Sequence, residues 1–294
     1  LKAVRGGIFL KLGFRHTALQ AACTVLALCF AIALLRQGSA APAFGAQEGV
    51  QLPILMYHSI LKDSARQGNY VVSPDVLAAD LDALQERGYE TVTVSDLLAY
   101  VQDGAPLPDK PVMITFDDGY YNNYVYAYPL LQQRGMRAVL SIIGSQTAFY
   151  TEDGTENAYW SHLRLDRLTE MQDVFEVQNH SWNLHEYGER RGCLRRRGEN
   201  EASYASLLRE DTEQTQQMLI EAGLPAPQCY TYPFGACSEE SERILQGMGF
   251  LCTLGCEERV NLVTRDAGCL YEMGRFNRAA GESTESYLKR ALGE

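Results

Sequence analysis

Two adjacent carboxylates, Asp117 and Asp118, end the apolar run Val112-Met113-Ile114-Thr115-Phe116 and are followed at once by Gly119. Side by side, such groups repel unless a cation or a proton lies between them. The run is bounded by Lys110-Pro111 and a glycine, so it reads as a short buried strand with the pair at its carboxyl end, where α/β folds place their sites. Neighbours on a strand point opposite ways, and Gly119 is expected to supply the turn that brings both carboxylates to one place. A second polar cluster follows another apolar segment, in Phe175-Glu176-Val177-Gln178-Asn179-His180-Ser181-Trp182-Asn183-Leu184-His185. Imidazole is the commonest protein ligand of zinc, and two imidazoles with one carboxylate leave a tetrahedral ion one position open for water. An isolated Asp-Asp-Gly is usually a solvated turn, and two histidines at this spacing fix no metal by themselves. Their joint occurrence after predicted strands raises the weight of a shared metal site above either motif alone.

The elements around these residues alternate. Pro53-Ile54-Leu55-Met56-Tyr57-His58 reads as a first strand with His58 at its carboxyl end. Ser73-Pro74-Asp75, followed by Val76, Leu77, Leu81 and Leu84, predicts a capped amphipathic helix ending near Gly88. A strand over 89–94 and a helix over 95–101 follow, so a β/α alternation is under way before the Asp pair arrives. Five tyrosines crowd the segment 120–128; in a helix most would pack inward, leaving Tyr120 or Tyr121 for a groove. Then come a strand over 137–143 and a long loop over 144–160, with Trp160 and His162 at its end, read as packed loop anchors in preference to glycan-groove residues. The insert 186–200 carries Arg190, Arg191, Arg195, Arg196 and Arg197, read as an exposed insert or as a patch for anionic cell-wall polymer. The remaining expectations are a helix over 201–222, a strand over 228–232 turning at Pro233-Phe234-Gly235, a helix over 239–248, a strand over 251–254, Met273-Gly274-Arg275-Phe276 at the end of a late strand, and a closing helix over 283–292.

Three motifs in this order, Thr115-Phe116-Asp117-Asp118-Gly119, then His180-Ser181 with His185, then Tyr230-Thr231-Tyr232-Pro233-Phe234-Gly235, resemble those of the polysaccharide deacetylases, the NodB-homology or carbohydrate esterase family 4 group. The resemblance runs from about Gln51 to the C-terminus and is nearest the poly-N-acetylglucosamine deacetylase branch, whose second histidine follows the first as His185 follows His180. It implies an α/β fold, a distorted (β/α)7-type barrel. It also implies a hydrolase that removes N-acetyl groups from N-acetylglucosamine-containing cell-wall or extracellular polysaccharide and releases acetate. By the same resemblance a divalent metal, with zinc expected, is held by Asp118, His180 and His185, while Asp117 is the general base and the Phe234 backbone N–H helps bind the oxyanion. In the wider family a histidine on a final strand is thought to protonate the leaving amine. No histidine follows His185 here, and the permuted arrangement of the nearer branch gives that role to His58. Thr231 stands where an arginine would orient the catalytic aspartate, and Arg275 is the candidate substitute. The competing readings are an O-acetyl glycan esterase and a non-catalytic glycan-binding protein; the presence of both aspartates and both histidines speaks against the second.

Lys2, Arg5, Lys11 and Arg15 precede an almost uninterrupted apolar run over 17–35, with Arg36 after it. A run of about 20 residues suffices to cross a bilayer. The excess of basic residues before it predicts a cytoplasmic segment over 1–16, a transmembrane anchor over 17–36, a linker over 37–49 and a catalytic domain over 50–294 outside the membrane. A cleaved signal peptide, with small residues at Ala41-Pro42-Ala43, would give a secreted protein instead. Beyond residue 36 the chain carries 21 basic and 37 acidic residues, a net charge of −16, which argues against nucleic acid as a partner of the domain. The expected partners are an N-acetylated polysaccharide and, through the N-terminal helix, the membrane; a monomer is expected. Cys193, Cys229, Cys237, Cys252, Cys256 and Cys269 would lie where disulfides are permitted, but their spacing reads neither as a pairing nor as a zinc knuckle.

Overall fold

The computed structural model describes residues 49–186 and 188–294. The segments expected to be cytoplasmic (1–16) and membrane-spanning (17–36), with nearly all of the linker, lie outside the described residues. Among those described, no helix is long and apolar enough to cross a membrane.

The described chain enters through β1 (Val50–Leu52) and passes Pro53 into β2 (Ile54–Tyr57), buried at every residue. Two short parallel strands, β3 (Ser59–Ile60) and β4 (Val71–Val72), pair just beyond it. Helix α1 (Pro74–Glu86) starts where the Ser73 hydroxyl accepts the Val76 N–H, and proline suits its first position. Removing that cap would cost about 1 kcal/mol. Leu77, Leu81 and Leu84 form its buried stripe, and truncating Leu81 to alanine would cost about 2–5 kcal/mol. The strand expected over 89–94 shrinks to β5 (Glu90–Thr91), because Thr93 and Asp96 close a capping box that starts α2 (Val94–Leu98) one residue early. Next are β6 (Pro111–Phe116), α3 (Tyr128–Gln133), β7 (Ala138–Ile142), α4 (Gly144–Asp153), α5 (Leu165–Glu170), β8 (Phe175–Asn179) and α6 (Glu201–Glu221). The chain closes with β9 (Cys229–Thr231), α7 (Glu239–Gly247), β10 (Cys252–Leu254), β11 (Asn261–Val263), β12 (Phe276–Asn277) and α8 (Thr284–Leu292).

Two expectations change here. The long loop over 144–160 is in large part helix α4. Its first N–H groups, on Gly144 and Ser145, donate to the carbonyls of Ser181 and Trp182 at 2.9 and 3.0 Å, so a distant segment satisfies the helix start and no local cap announces it. Arg275 precedes the two-residue β12 instead of ending a strand. The six described cysteines are free thiols, with Cys229 and Cys252 facing each other on adjacent strands.

Parallel pairing runs β10-β9-β8-β7-β6-β2-β12, with β5 against the start of β6. The seven strands curl. Phe276 of β12 pairs with Leu55 of β2, while Met273, leading into β12, bridges Leu254 of β10. The last strand therefore stands beside the first, and the β/α order is that of the expected barrel, as a curled parallel sheet. Alternation along β6 sends Val112, Ile114 and Phe116 into the core shared with α1, α3 and α8, and Met113 into the core on the opposite side of the sheet. Thr115 and Asp117 continue the Met113 parity, which carries the first carboxylate to the inner side at the strand's carboxyl end.

Candidate active site

Asp117 is anchored through its own backbone and through a buried cation. Its N–H donates to the Tyr57 carbonyl at 3.0 Å, holding the end of β6 to the end of β2. The Arg275 guanidinium lies against its carboxylate with Nη1–Oδ1 and Nη2–Oδ2 both at 2.8 Å, the two side chains being 0 % and 2 % exposed. Nε of Arg275 donates to the Gly255 carbonyl, Nη1 also to Thr115 Oγ1, and Nη2 also to Cys256 Sγ, so all five guanidinium hydrogens have partners. A bidentate fork of this kind fixes the orientation of a carboxylate as well as its charge. Burial works against ionised Asp117, but Arg275, together with His180 and His58, outweighs it and the carboxyl group sits below its usual range.

Asp118 leaves the strand geometry by a left-handed turn of its own, φ +70°, followed by Gly119 at φ +74°. The turn expected from the glycine thus begins one residue earlier, and it swings the second carboxylate to the same cavity. Gly119 is also required by space, since a Cβ there would lie 2.9 Å from Ile142 Cγ2. Asp118 Oδ1 stands 3.4 Å from His180 Nε2 and 3.3 Å from His185 Nε2, and this oxygen is buried with no hydrogen-bond partner. The Thr231 carbonyl receives a hydrogen from His180 Nδ1 at 2.7 Å, which leaves Nε2 bare in the neutral ring and aimed at Asp118. A carboxylate oxygen facing imidazole lone pairs is unfavourable unless a positive charge lies among them. The three donor atoms lie within 4.8 Å of one another, so the set can hold a metal ion. Burial alone would lower His180 and raise Asp118; each acts on the other strongly enough to reverse this, so the imidazole is raised and the carboxyl held well below its usual range. His185, by contrast, is pushed down by burial and by His180.

The loop that brings His185 to this point is held from outside. Ser181 takes φ +72°, and the N–H groups of Trp182 and Asn183 donate to the two carboxylate oxygens of Asp211 on α6 at 2.9 and 2.8 Å. Asp211 carried no signal in the sequence, because nothing near it in the chain marks it as a cap for a loop 28 residues away. Thr231, at the position where the wider family's arginine was expected, instead orients His180 with its carbonyl and bonds Ser141 through its hydroxyl.

His58 Nε2 is 3.9 Å from Asp117 Oδ2, and its Nδ1 is buried without a partner. Burial pushes this imidazole below its ordinary value, with Asp117 and Asp118 opposing. Phe234 sits in the turn after β9 at φ +58°, its ring 4.4 Å from that of His185. Gly192 packs its backbone on this turn; a Cβ there would lie 2.5 Å from the Pro233 carbonyl oxygen. His58, Asp117, Asp118, His180, His185 and Phe234 line a cavity of about 840 Å³, which also meets Tyr70, Tyr120, His162, Arg190, Arg191 and Cys256; Arg275 lies behind it. The arginine insert is largely neutralised, with Arg190 paired to Glu199, Arg195 to Glu240 and Arg196 to Glu189. His162, expected as a loop anchor, lies on the cavity wall, whereas Trp160 is exposed outside it.

A curled parallel sheet with an arginine-held aspartate and an Asp-His-His cluster at its strand ends is an α/β scaffold carrying a site equipped for hydrolysis. The model of the polysaccharide deacetylase family matches residues 104–252, just over half of the chain, and the protein belongs to that family of hydrolases. It is 27% identical over 243 residues to a putative polysaccharide deacetylase, YxkH, of Bacillus subtilis (strain 168), covering 82% of this chain and 76% of that protein. It is 24% identical over 218 residues to the poly-beta-1,6-N-acetyl-D-glucosamine N-deacetylase of Escherichia coli (strain K12), covering 67% of this chain but 32% of that one. The solved structure of IcaB from Ammonifex degensii matches with a TM-score of 0.67 at 25% identity, covering 83% of this chain and 97% of the other.

Proposed function

We propose that the protein is a metal-dependent N-deacetylase of N-acetylglucosamine-containing cell-wall or extracellular polysaccharide, with residues 50–294 as its catalytic domain and the segment 17–36 anchoring it outside a membrane. The observation that carries this reading is the arginine-held Asp117 beside three converging ligand atoms, one of them the unpartnered Asp118 oxygen. The printed activity of the E. coli relative supports the substrate class. Asp118, His180 and His185 would hold the divalent ion, zinc being the species that suits this donor set. Bound there, it supplies the Lewis acidity that makes water easier to deprotonate and an amide carbonyl more electrophilic.

Asp117, kept ionised by Arg275, accepts the proton of the attacking water. As the acetyl carbonyl oxygen gains negative charge it accepts a hydrogen bond from the Phe234 N–H. Burial lowers His58, so its ring rests neutral near neutral pH, takes up the proton that Asp117 removed from water, and gives it to the nitrogen as the C–N bond breaks. The one proton thus passes from water to Asp117, across 3.9 Å to His58 and on to the nitrogen. The products are acetate and a glucosamine unit.

The test is acetate release from N-acetylglucosamine oligomers by the protein, after chelation and again after zinc is added back. Activity that disappears and returns is the expected result. Release from acetylated xylan alone would move the assignment to an O-acetyl esterase, and no release with either, whatever metal is supplied, would sink the catalytic reading.

A further inference from the structure

His162 is the cavity histidine that the proposed reaction leaves unused. Its segment pairs with the residues directly after the Asp pair: the Tyr121 N–H donates to the Ser161 carbonyl at 2.9 Å and the Leu163 N–H to the Gly119 carbonyl at 2.7 Å, with Tyr120 and His162 opposite each other. The imidazole is stacked on Tyr120 at 4.8 Å and on Tyr150 at 5.7 Å, so its orientation is fixed beside the reacting groups. Nδ1 is buried with no partner and the residue lines the cavity, so Nε2 is the ring nitrogen left for a ligand there. A buried N–H without an acceptor is costlier to leave unmet than a buried lone pair. The hydrogen therefore belongs on Nε2, as a donor directed at the cavity. Burial holds this imidazole down at about 4, so the donor carries no charge near neutral pH. An N-acetylated glycan is uncharged and rich in hydroxyl and ether oxygens, and a rigid neutral donor suits it where a guanidinium would select anions.

We infer that His162 is a substrate-binding residue of the deacetylase site, donating its Nε2 hydrogen to a hydroxyl or ether oxygen of the N-acetylated sugar while Tyr120 and Tyr150 hold its ring. This rests on the glycan reading given above.

The experiment compares wild type, His162→Phe and His162→Gln, zinc-loaded, on a soluble N-acetylglucosamine tetramer. Phenylalanine keeps a flat ring between the tyrosines and removes the donor, so KM should rise about tenfold with kcat within about twofold, the scale of one lost hydrogen bond. Glutamine restores an N–H and should return KM to within about threefold of wild type. An unchanged KM in the phenylalanine variant, or a fall in kcat that glutamine does not rescue, overturns the assignment. If wild type releases no acetate from the tetramer, the proposed reaction fails by itself. Calorimetric titration of the tetramer into wild type and His162→Phe then decides the role of His162: binding about tenfold weaker in the variant supports it, and equal or absent binding overturns it.

Discussion

Arg275 and Arg278 flank β12 and each is buried against an aspartate, Arg275 on Asp117 and Arg278 on Asp80. Strand alternation sends them to opposite sides of the sheet. Around Asp80 every demand is met: its oxygens accept from Arg278 Nε at 2.7 Å, Thr284 Oγ1 at 2.6 Å and the Tyr57 hydroxyl at 2.9 Å, and Arg278 Nη1 donates to the carbonyls of Ala279 and Glu282. Neither member lines the cavity. Around Asp117 the arginine is equally satisfied, yet His58 Nδ1 and Asp118 Oδ1 nearby have no partner. A buried ion pair is therefore not in itself a sign of function. What separates the two regions is the unmet polar atoms gathered beside one pair and missing from the other.

The largest expected effect lies on the unmet side. Asp117→Asn keeps the shape and removes the base, so turnover should fall by about 10²–10⁴-fold while zinc content, read by metal analysis, stays near wild type. Loss of metal along with activity would make Asp117 a ligand and erase the distinction drawn between the two carboxylates. Arg275→Met should damage both properties. It leaves Asp117 buried without its cation, at a cost of about 3–5 kcal/mol near neutral pH, and it lowers turnover because the carboxylate loses the fork that orients it and favours its ionised form. The pH dependence has a definite sign. In wild type the folded carboxyl lies below its unfolded value, so its contribution is present above the unfolded pKa and is lost as pH falls through the folded one. In the variant burial is opposed only by His180 and His58, so the folded value moves up and the contribution present near neutral pH shrinks. Urea midpoints should consequently converge between wild type and Arg275→Met in acid and separate toward neutrality. A gap of constant size would mean that Arg275 acts through packing alone.

Asp80→Ala is the counterpart on the satisfied side. It strands a buried guanidinium and should cost about 3–5 kcal/mol of stability, yet kcat measured on the folded fraction should stay within about twofold of wild type, since a fully met network offers the reaction nothing. A tenfold loss of kcat at full folding would show that this pair also shapes the site.

What the sequence disclosed follows from how local each cause is. The strand ends at Asp117-Asp118 and at His180 were legible because apolar runs stop abruptly there, and Arg275 was reached only because Thr231 occupied the place of an expected arginine. Asp80 and Arg278, 198 residues apart, gave no sign, since a helix aspartate and a late arginine look like ordinary surface charges until the fold joins them. Helix α4 was hidden for a similar reason, its first turn being satisfied by Ser181 and Trp182. For His162 the sequence favoured a loop anchor over a groove residue, because its place on the cavity wall depends on pairing with the residues after the Asp pair, a contact that no periodicity encodes.

The smallest effect tests whether that locality extends to the turn after β9. Phe234 holds φ +58°, a region that costs a bulky residue about 1–3 kcal/mol and that glycine enters freely. If the turn acts through its backbone N–H, Phe234→Gly keeps the acting group and kcat should stay within about threefold, well short of the 10²–10³ lost with a true oxyanion donor. Stability should change by no more than about 1 kcal/mol, relief of strain being offset by the greater freedom of glycine in the unfolded chain. The ring does touch His185, 4.4 Å away, so metal content must be read together with kcat. A fall in both would mean that the site needs the phenyl group as a brace for His185, and the oxyanion donor would have to be sought on another residue of the cavity wall. Unchanged metal with kcat near wild type would leave the side chains of Asp117, Arg275 and the Asp-His-His cluster carrying the chemistry, and the backbone of this turn carrying the developing charge.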